Sequence, residues 1–293
     1  MNNLSFHYIS PLSVFFTCLV LLGCGSKEIN PLEDERGIYS FYGALDMERS
    51  TNYIRVRDLR LPHLAEQTIG ENTVITFEDL EKGTSIILLD SLVDFSGNIT
   101  HNYILNKTLQ PRQPYRITAR RNDGALSESI ANTPGITIAG AVPDENVSCG
   151  QRITFHFDNV LPSEQIRVDA GFEYEGEMYW FEITRYCDFK YDEFTNRVSL
   201  EKNPINLLGL VFPPQNINIP QCQNIIPRIS CDELSSDVAY LRYYHLGPEW
   251  QRIFPVIQVN PDNVKDVENG LGFFGAYRSD LITYTLSINS ENN

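Results

Sequence analysis

Residues whose chemistry could define a role are sparse in this chain, and Cys24 is the most informative of them. It closes the run Leu21-Leu22-Gly23-Cys24, behind an apolar stretch from Leu12 to Leu22. An apolar segment, a small residue at the cleavage point and a cysteine directly after it form the pattern of a bacterial lipoprotein signal. In that pattern the cysteine is lipidated and becomes the first residue of the mature chain. The stretch has the length of a signal core and is too short to cross a bilayer as a helix. Residues 1–11 depart from the pattern, since they contain His7 but no Lys or Arg. A plain secretory signal or an uncleaved tether are the rival readings, and each keeps the remainder outside the cytoplasm. Two or more acyl chains on Cys24 anchor a protein stably without a spanning helix.

Four cysteines remain beyond Cys18 and Cys24: Cys149, Cys187, Cys222 and Cys231. In an oxidising compartment they form disulfides, and four cysteines allow three pairings. The short loop between Cys222 and Cys231 favours that pair, which leaves Cys149 with Cys187. A zinc site is the competitor, but no CxxC is present and no His stands at ligand spacing. No metal or other cofactor is therefore expected.

The remaining candidates for catalysis are scattered. His63, His101, His156 and His245 each stand alone in sequence. His156 alternates with Phe155 and Phe157, which puts it on the outer side of a strand. Glu173 with Glu175, or Asp188 with Asp192, could imitate the carboxylate pair of a glycosidase, but only their spatial separation would decide that. Asp188, Asp192 and Glu193 lack the spaced oxygen ligands of a known calcium loop. No GxSxG, HExxH or phosphate-cradling glycine loop occurs. Tyr179, Trp180 and Trp250 are the candidate ligand platform, because aromatic faces stack on sugar rings. Core packing is the competing use of the same rings.

The elements that must carry these residues are strands. Polar residues alternate with β-branched and aromatic ones in Ile54–Arg57, Thr73–Phe77, Tyr115–Arg120, Arg152–Phe157, Ile166–Ala170, Met178–Thr184 and Ile282–Ile288. Turn signals separate such runs, as in Glu81-Lys82-Gly83 and Asn122-Asp123-Gly124. Many short strands at this spacing specify sandwiches or barrels. Ser235–His245 fits strand or helix, and the Pro- and Asn-rich stretch Asn203–Pro220 reads as a long loop. The expected fold is all-β in two domains. Residues 1–23 are the signal, 24–36 a polar tether, 37–145 an immunoglobulin-like sandwich, and 146–293 a second mostly-β sandwich or barrel-like domain.

Near the C-terminus stands Glu268-Asn269-Gly270-Leu271-Gly272-Phe273-Phe274-Gly275-Ala276-Tyr277. Its glycines imply a sharp turn and a closely approached backbone, read here as a glycine-kinked strand entry or as a binding loop built on Asn269, Gly270, Gly272, Phe274 and Gly275. With the Cys24 pattern, this stretch resembles one found in a family of uncharacterised outer-membrane lipoproteins of Bacteroidota. These carry the domain of unknown function numbered 4249. Their typical stretch is Asn-Ile-Glu-Gly-Gly-x-Gly-x-Phe-Gly; here Asp266 replaces the Asn and Asn269 a Gly. Gly43-Ala44-Leu45, and Tyr115 leading to Asp123-Gly124, are also similar. The resemblance implies an accessory to a TonB-dependent transporter and carries over no catalytic residue.

A formal charge of −15 argues against nucleic acid and anionic membrane surfaces as partners. The expected role is thus non-enzymatic: a lipid-anchored outer-membrane protein assisting nutrient capture with a TonB-dependent transporter. A stand-alone glycan-binding lipoprotein and a structural or adhesive surface protein are the alternatives.

Overall fold

The computed structural model describes residues 39–59, 72–95, 97–142, 146–184, 189–213, 227–252 and 266–287. The signal, Cys24, the tether, His63, Cys187, Asp188 and Cys222 lie outside these residues. The first half of the chain forms β1 (Tyr39–Asp46), β2 (Thr51–Asp58), β3 (Thr73–Asp79), β4 (Thr84–Ile87), β5 (Leu89–Phe95), β6 (Asn98–Asn106), β7 (Pro114–Arg121), β8 (Leu126–Asn132) and β9 (Ile138–Val142). The second half forms β10 (Val147–Ser148), β11 (Ile153–Asp158), β12 (Gln165–Tyr174), β13 (Glu177–Glu182), β14 (Lys190–Asp192), β15 (Arg197–Lys202), helix α1 (Pro204–Val211), β16 (Val238–Leu246) and β17 (Gly270–Ser287). The protein is all-β with sandwich-like layering, as the alternating sequence requires.

One nine-stranded sheet runs β13-β12-β16-β17-β1-β2-β6-β5, with β10 added beside β17. Two four-stranded sheets, β4-β3-β7-β8 and β14-β15-β11-β9, supply the other layers. They enclose two hydrophobic cores. One gathers Phe41, Ile54, Phe77, Tyr115 and Ile117. The other gathers Phe155, Phe157, Val168, Phe172, Leu241 and Tyr243. The first core also takes Val267, Phe274 and Ala276 from the end of the described chain, and the large sheet runs through both halves. The last strand, β17, pairs in parallel with the first, β1, from Tyr39 against Gly270 to Asp46 against Tyr277. It then pairs antiparallel with β16 from Tyr277 to Thr285. Its even-numbered side serves both cores, with Phe274 and Ala276 in the first and Tyr284 and Leu286 in the second. All described residues fall in one compact unit.

The glycine-rich stretch is therefore a strand, which corrects its reading as a binding loop. Close backbone approach explains the glycines. A Cβ on Gly272 would stand 2.2 Å from Phe41 O, and its φ of +102° is a conformation that side chains strain to adopt. Asn269, at φ 51°, makes the turn just before the strand. Gly43 faces Phe274 across the parallel pair and leaves room for that ring, since a Cβ there would lie 2.9 Å from it. Gly43-Ala44-Leu45 and the glycine-rich stretch thus pair with each other.

Two further expectations change. The first part of Asn203–Pro220 is helical rather than loop. Asn203 accepts the Asn206 N–H at 2.9 Å, Pro204 opens the helix, and Leu207, Leu208 and Leu210 are buried. The disulfide joins Cys149 to Cys231, which replaces both expected pairs. Sheet geometry drives it: Ser148 pairs with Ser287, while Leu286 N–H donates to Asp237 O at 2.6 Å. The segments before β11 and before β16 therefore meet at the end of β17.

Two outcomes test this framework. Gly272→Ala is expected to cost about 3 kcal/mol or more in a urea melt, because strain and overlap add. Gly83→Ala, at φ +61° in open space, is expected to cost only about 1 kcal/mol. The Cys149–Cys231 bond spans 82 residues, so Cys231→Ser should remove about 4 kcal/mol on the chain-entropy account. Peptide mapping without reduction should recover the two cysteines in one fragment.

Candidate functional site

Strand alternation splits the aromatic candidates. Along β16, Ala239, Leu241 and Tyr243 enter the second core, while Tyr240, Arg242 and Tyr244 stand half-buried on the opposite face. In β13 the neighbours Tyr179 and Trp180 must point to opposite faces. Tyr179 packs on Phe212 with ring centres 5.0 Å apart, on the core side. It is not part of a platform with the tryptophans, which corrects that expectation.

Trp180 and Trp250, by contrast, belong to one strip. Trp180 lies over Gly171, where a Cβ would come within 2.7 Å of the ring. The Arg242 guanidinium sits 4.0 Å from the centre of the Trp180 ring and 5.8 Å from that of Tyr244. Tyr244 is 6.0 Å from Tyr277, and Tyr277 is 6.2 Å from Trp250. Trp250 ends the strip against Phe273, at 4.5 Å, and its Nε1–H donates to Ala276 O at 2.8 Å. The odd-numbered side of β17 carries Phe273 and Tyr277, while its even side fills the cores. Trp250 comes from the short turn Pro248–Arg252, whose Glu249 accepts from Asn132 N and Nδ2 at 3.1 and 2.6 Å.

Charge on the strip is internally compensated. Asp169 lies between Arg242 Nη2 at 3.4 Å and Arg167 Nε at 3.6 Å, and Arg167 Nη2 reaches Glu182 Oε2 at 3.6 Å. Burial raises the phenols of Tyr244 and Tyr277, so both are neutral hydrogen-bonding groups at neutral pH. Such half-exposed ion pairs contribute about 0–1 kcal/mol each, and a cation over an aromatic face about 0.5–2 kcal/mol. A ligand can therefore compete with Arg242 for the face of Trp180 at modest cost. The arrangement offers stacking faces, guanidinium donors and hydroxyls, which suit binding of a polar ligand.

The histidines divide differently. His101 Nδ1 meets Asp90 Oδ2 at 2.8 Å. His156 is on the outer side of β11 as expected, lying over Gly140. His245 is not isolated, as its sequence context implied. Its Nδ1 is hydrogen-bonded to Thr137 Oγ1, and its Nε2 meets Glu164 Oε2 at 2.9 Å. Hydroxyl, imidazole and carboxylate thus follow the order of a hydrolase relay. Thr137, His245 and Glu164 are only 6, 0 and 7% exposed, so the hydroxyl is closed to substrate. Glu164 also accepts from Leu161 N and Gly135 N at 2.7 and 3.1 Å. The trio clamps the connection from β8 to β9. Sequence reading could not join these residues, which lie 81 and 108 positions from His245.

Of the carboxylate candidates, Asp188 lies outside the described residues. Asp192 caps its own hairpin, accepting from Phe194 N at 2.9 Å and Thr195 Oγ1 at 2.8 Å. Among the described residues, no group of three or more His, Cys, Asp or Glu could hold a metal ion.

No family model matches the chain, and no curated protein matches it. Among solved structures, it is similar to the crystal structure of a tetra-tandem repeat in the extending region of a large adhesion protein. Identity is 10% and the TM-score 0.22, over 85% of this chain and 49% of that one. The chain thus spans about half the length of that protein, and a likeness this slight carries no functional argument.

Two buried carboxyls should respond oppositely to acid. Burial alone would raise Glu164, but hydrogen bonds from His245, Leu161 and Gly135 outweigh it and hold the carboxyl below its usual range. Its stabilisation is present above the unfolded pKa near 4.5 and is lost as pH falls through the lower folded value. Burial raises Glu249, with Asp266 nearby adding to the effect. Its ionisation therefore opposes folding at neutral pH. Glu164→Gln is expected to destabilise by about 2–4 kcal/mol at pH ~7 and to flatten the acid limb of stability. Glu249→Gln keeps the acceptor for Asn132 and should be neutral or stabilising. Thermal melts across pH compare the two.

Proposed function

We propose that this protein is a non-catalytic, lipid-anchored outer-membrane accessory that helps capture a nutrient for a TonB-dependent transporter. The aromatic and arginine strip from Trp180 to Trp250 is the observation that carries the binding part of this reading. A long row of rings on a sheet face suits an extended polar ligand that stacks on rings and hydrogen-bonds to guanidinium and hydroxyl groups, as a glycan does. The Leu21-Leu22-Gly23-Cys24 pattern supports the lipid anchor, and the resemblance to the Bacteroidota lipoproteins supports the transporter connection.

A purely structural or adhesive role is the second reading. It is favoured by Arg242, whose guanidinium covers the Trp180 face. Mild-detergent purification of the native protein from its own membrane distinguishes these readings. The proposal expects a TonB-dependent barrel in stoichiometric amount. It also expects glycan-array binding that weakens roughly tenfold or more in Trp180→Ala or Tyr244→Ala. Glycan binding without a barrel would leave a stand-alone glycan-binding lipoprotein. Neither signal would leave the structural role.

A further inference from the structure

Among the described residues, the strand β9 ends its sheet, paired on one side with β11. Its outer side chains are apolar and uncovered: Ile138 is 68% and Val142 62% exposed, and the adjoining Ile136 is 51% exposed. An open strand of this kind invites another strand to pair with it, and proteins ordinarily guard such edges with charge. Three of the other described end strands follow that rule. β13 carries Glu177 and Glu182, β14 carries Lys190 and Asp192, and β5 carries Asp90 and Asp94. The end strand β8 is bridged by Glu268, while β4 is also uncharged but spans only four residues. From Thr133 to Val142 there is no charged residue.

The sequence of β9 also reads nearly the same in both directions: Ile138-Ala139-Gly140-Ala141-Val142. Antiparallel pairing of two copies about Gly140 places Ile138 opposite Val142 of the second copy and Ala139 opposite Ala141. The outer face then carries two pairs of branched apolar side chains, one on each side of the paired Gly140 residues, and only alanines meet on the inner face. With a formal charge of −15 on each copy, most meetings of two molecules bring like charges together. The uncharged β9 edge avoids this, so its charge pattern fits another β9 better than an acidic or basic partner. We propose that β9 pairs with β9 of a second copy about a two-fold axis at Gly140, joining two four-stranded sheets into one.

Sedimentation of the full-length protein in density-matched mild detergent tests this. A reversible dimer is expected, and it should strengthen from low to high salt as the repulsion of the acidic surfaces is screened. Ile138→Lys should weaken association roughly tenfold or more with an unchanged melting temperature. The double variant Ile138→Cys with Val142→Cys should yield a disulfide-linked dimer on mild oxidation. Phe194→Ser, at a fully exposed hairpin tip on another edge, should change nothing. A protein monomeric at every concentration, an Ile138→Lys variant that dimerises as the parent does, or loss of the dimer in Phe194→Ser would each overturn the proposal. The outcome does not depend on a ligand or a transporter.

Discussion

The structure depends on the parallel contact between β1 and β17. This parallel pair joins the first and the last of the described strands, so it brings together residues from opposite ends of the described chain. It closes only if two backbones approach more nearly than side chains allow, which is why glycine occupies 270 and 272, where a Cβ would strike Tyr39 O and Phe41 O. Phe274 follows and fills the first core, with Gly43 opposite leaving space for its ring. Burying that ring contributes about 2–3 kcal/mol, so each part of the stretch supports the next. Beyond Tyr277 the same strand pairs with β16 and delivers Tyr284 and Leu286 to the second core. The two cores share one strand and therefore one fate.

That shared strand also organises the surface. Because side chains alternate, committing the even side of β17 to the cores commits Phe273 and Tyr277 to the other face. There they meet Trp250 and Tyr244 and extend the strip to Arg242 and Trp180. The turn that places Trp250 is pinned to β8 by Glu249 and Asn132. Ligand presentation and core packing are then two sides of a single commitment.

Much of this was legible in the residues. Alternation located most strands, including the phase of His156 between Phe155 and Phe157, because burial on one face leaves a period-two record. Local signals also existed for α1, in Asn203 followed by Pro204 and three leucines, but the surrounding prolines and asparagines outweighed them. The pairing of β1 with β17 was not legible, since no local pattern records a contact between residues 43 and 274. The Cys149–Cys231 bond follows from that same long-range geometry rather than from spacing. The strip and the Thr137–His245–Glu164 clamp draw on residues far apart in sequence, and neither exists until the sheets have formed. Trp180 could be recognised as a candidate, while its guanidinium cover could not.

Native-state hydrogen exchange followed by mass spectrometry tests the shared-strand account most directly. If β17 binds both cores into one unit, the slowest amides of β7 and of β11 should open with the same free energy as those of Phe274 and Tyr284. They should also fall together as denaturant is added. Two separate levels, with β7 and β11 opening independently and β17 following only one of them, would contradict it.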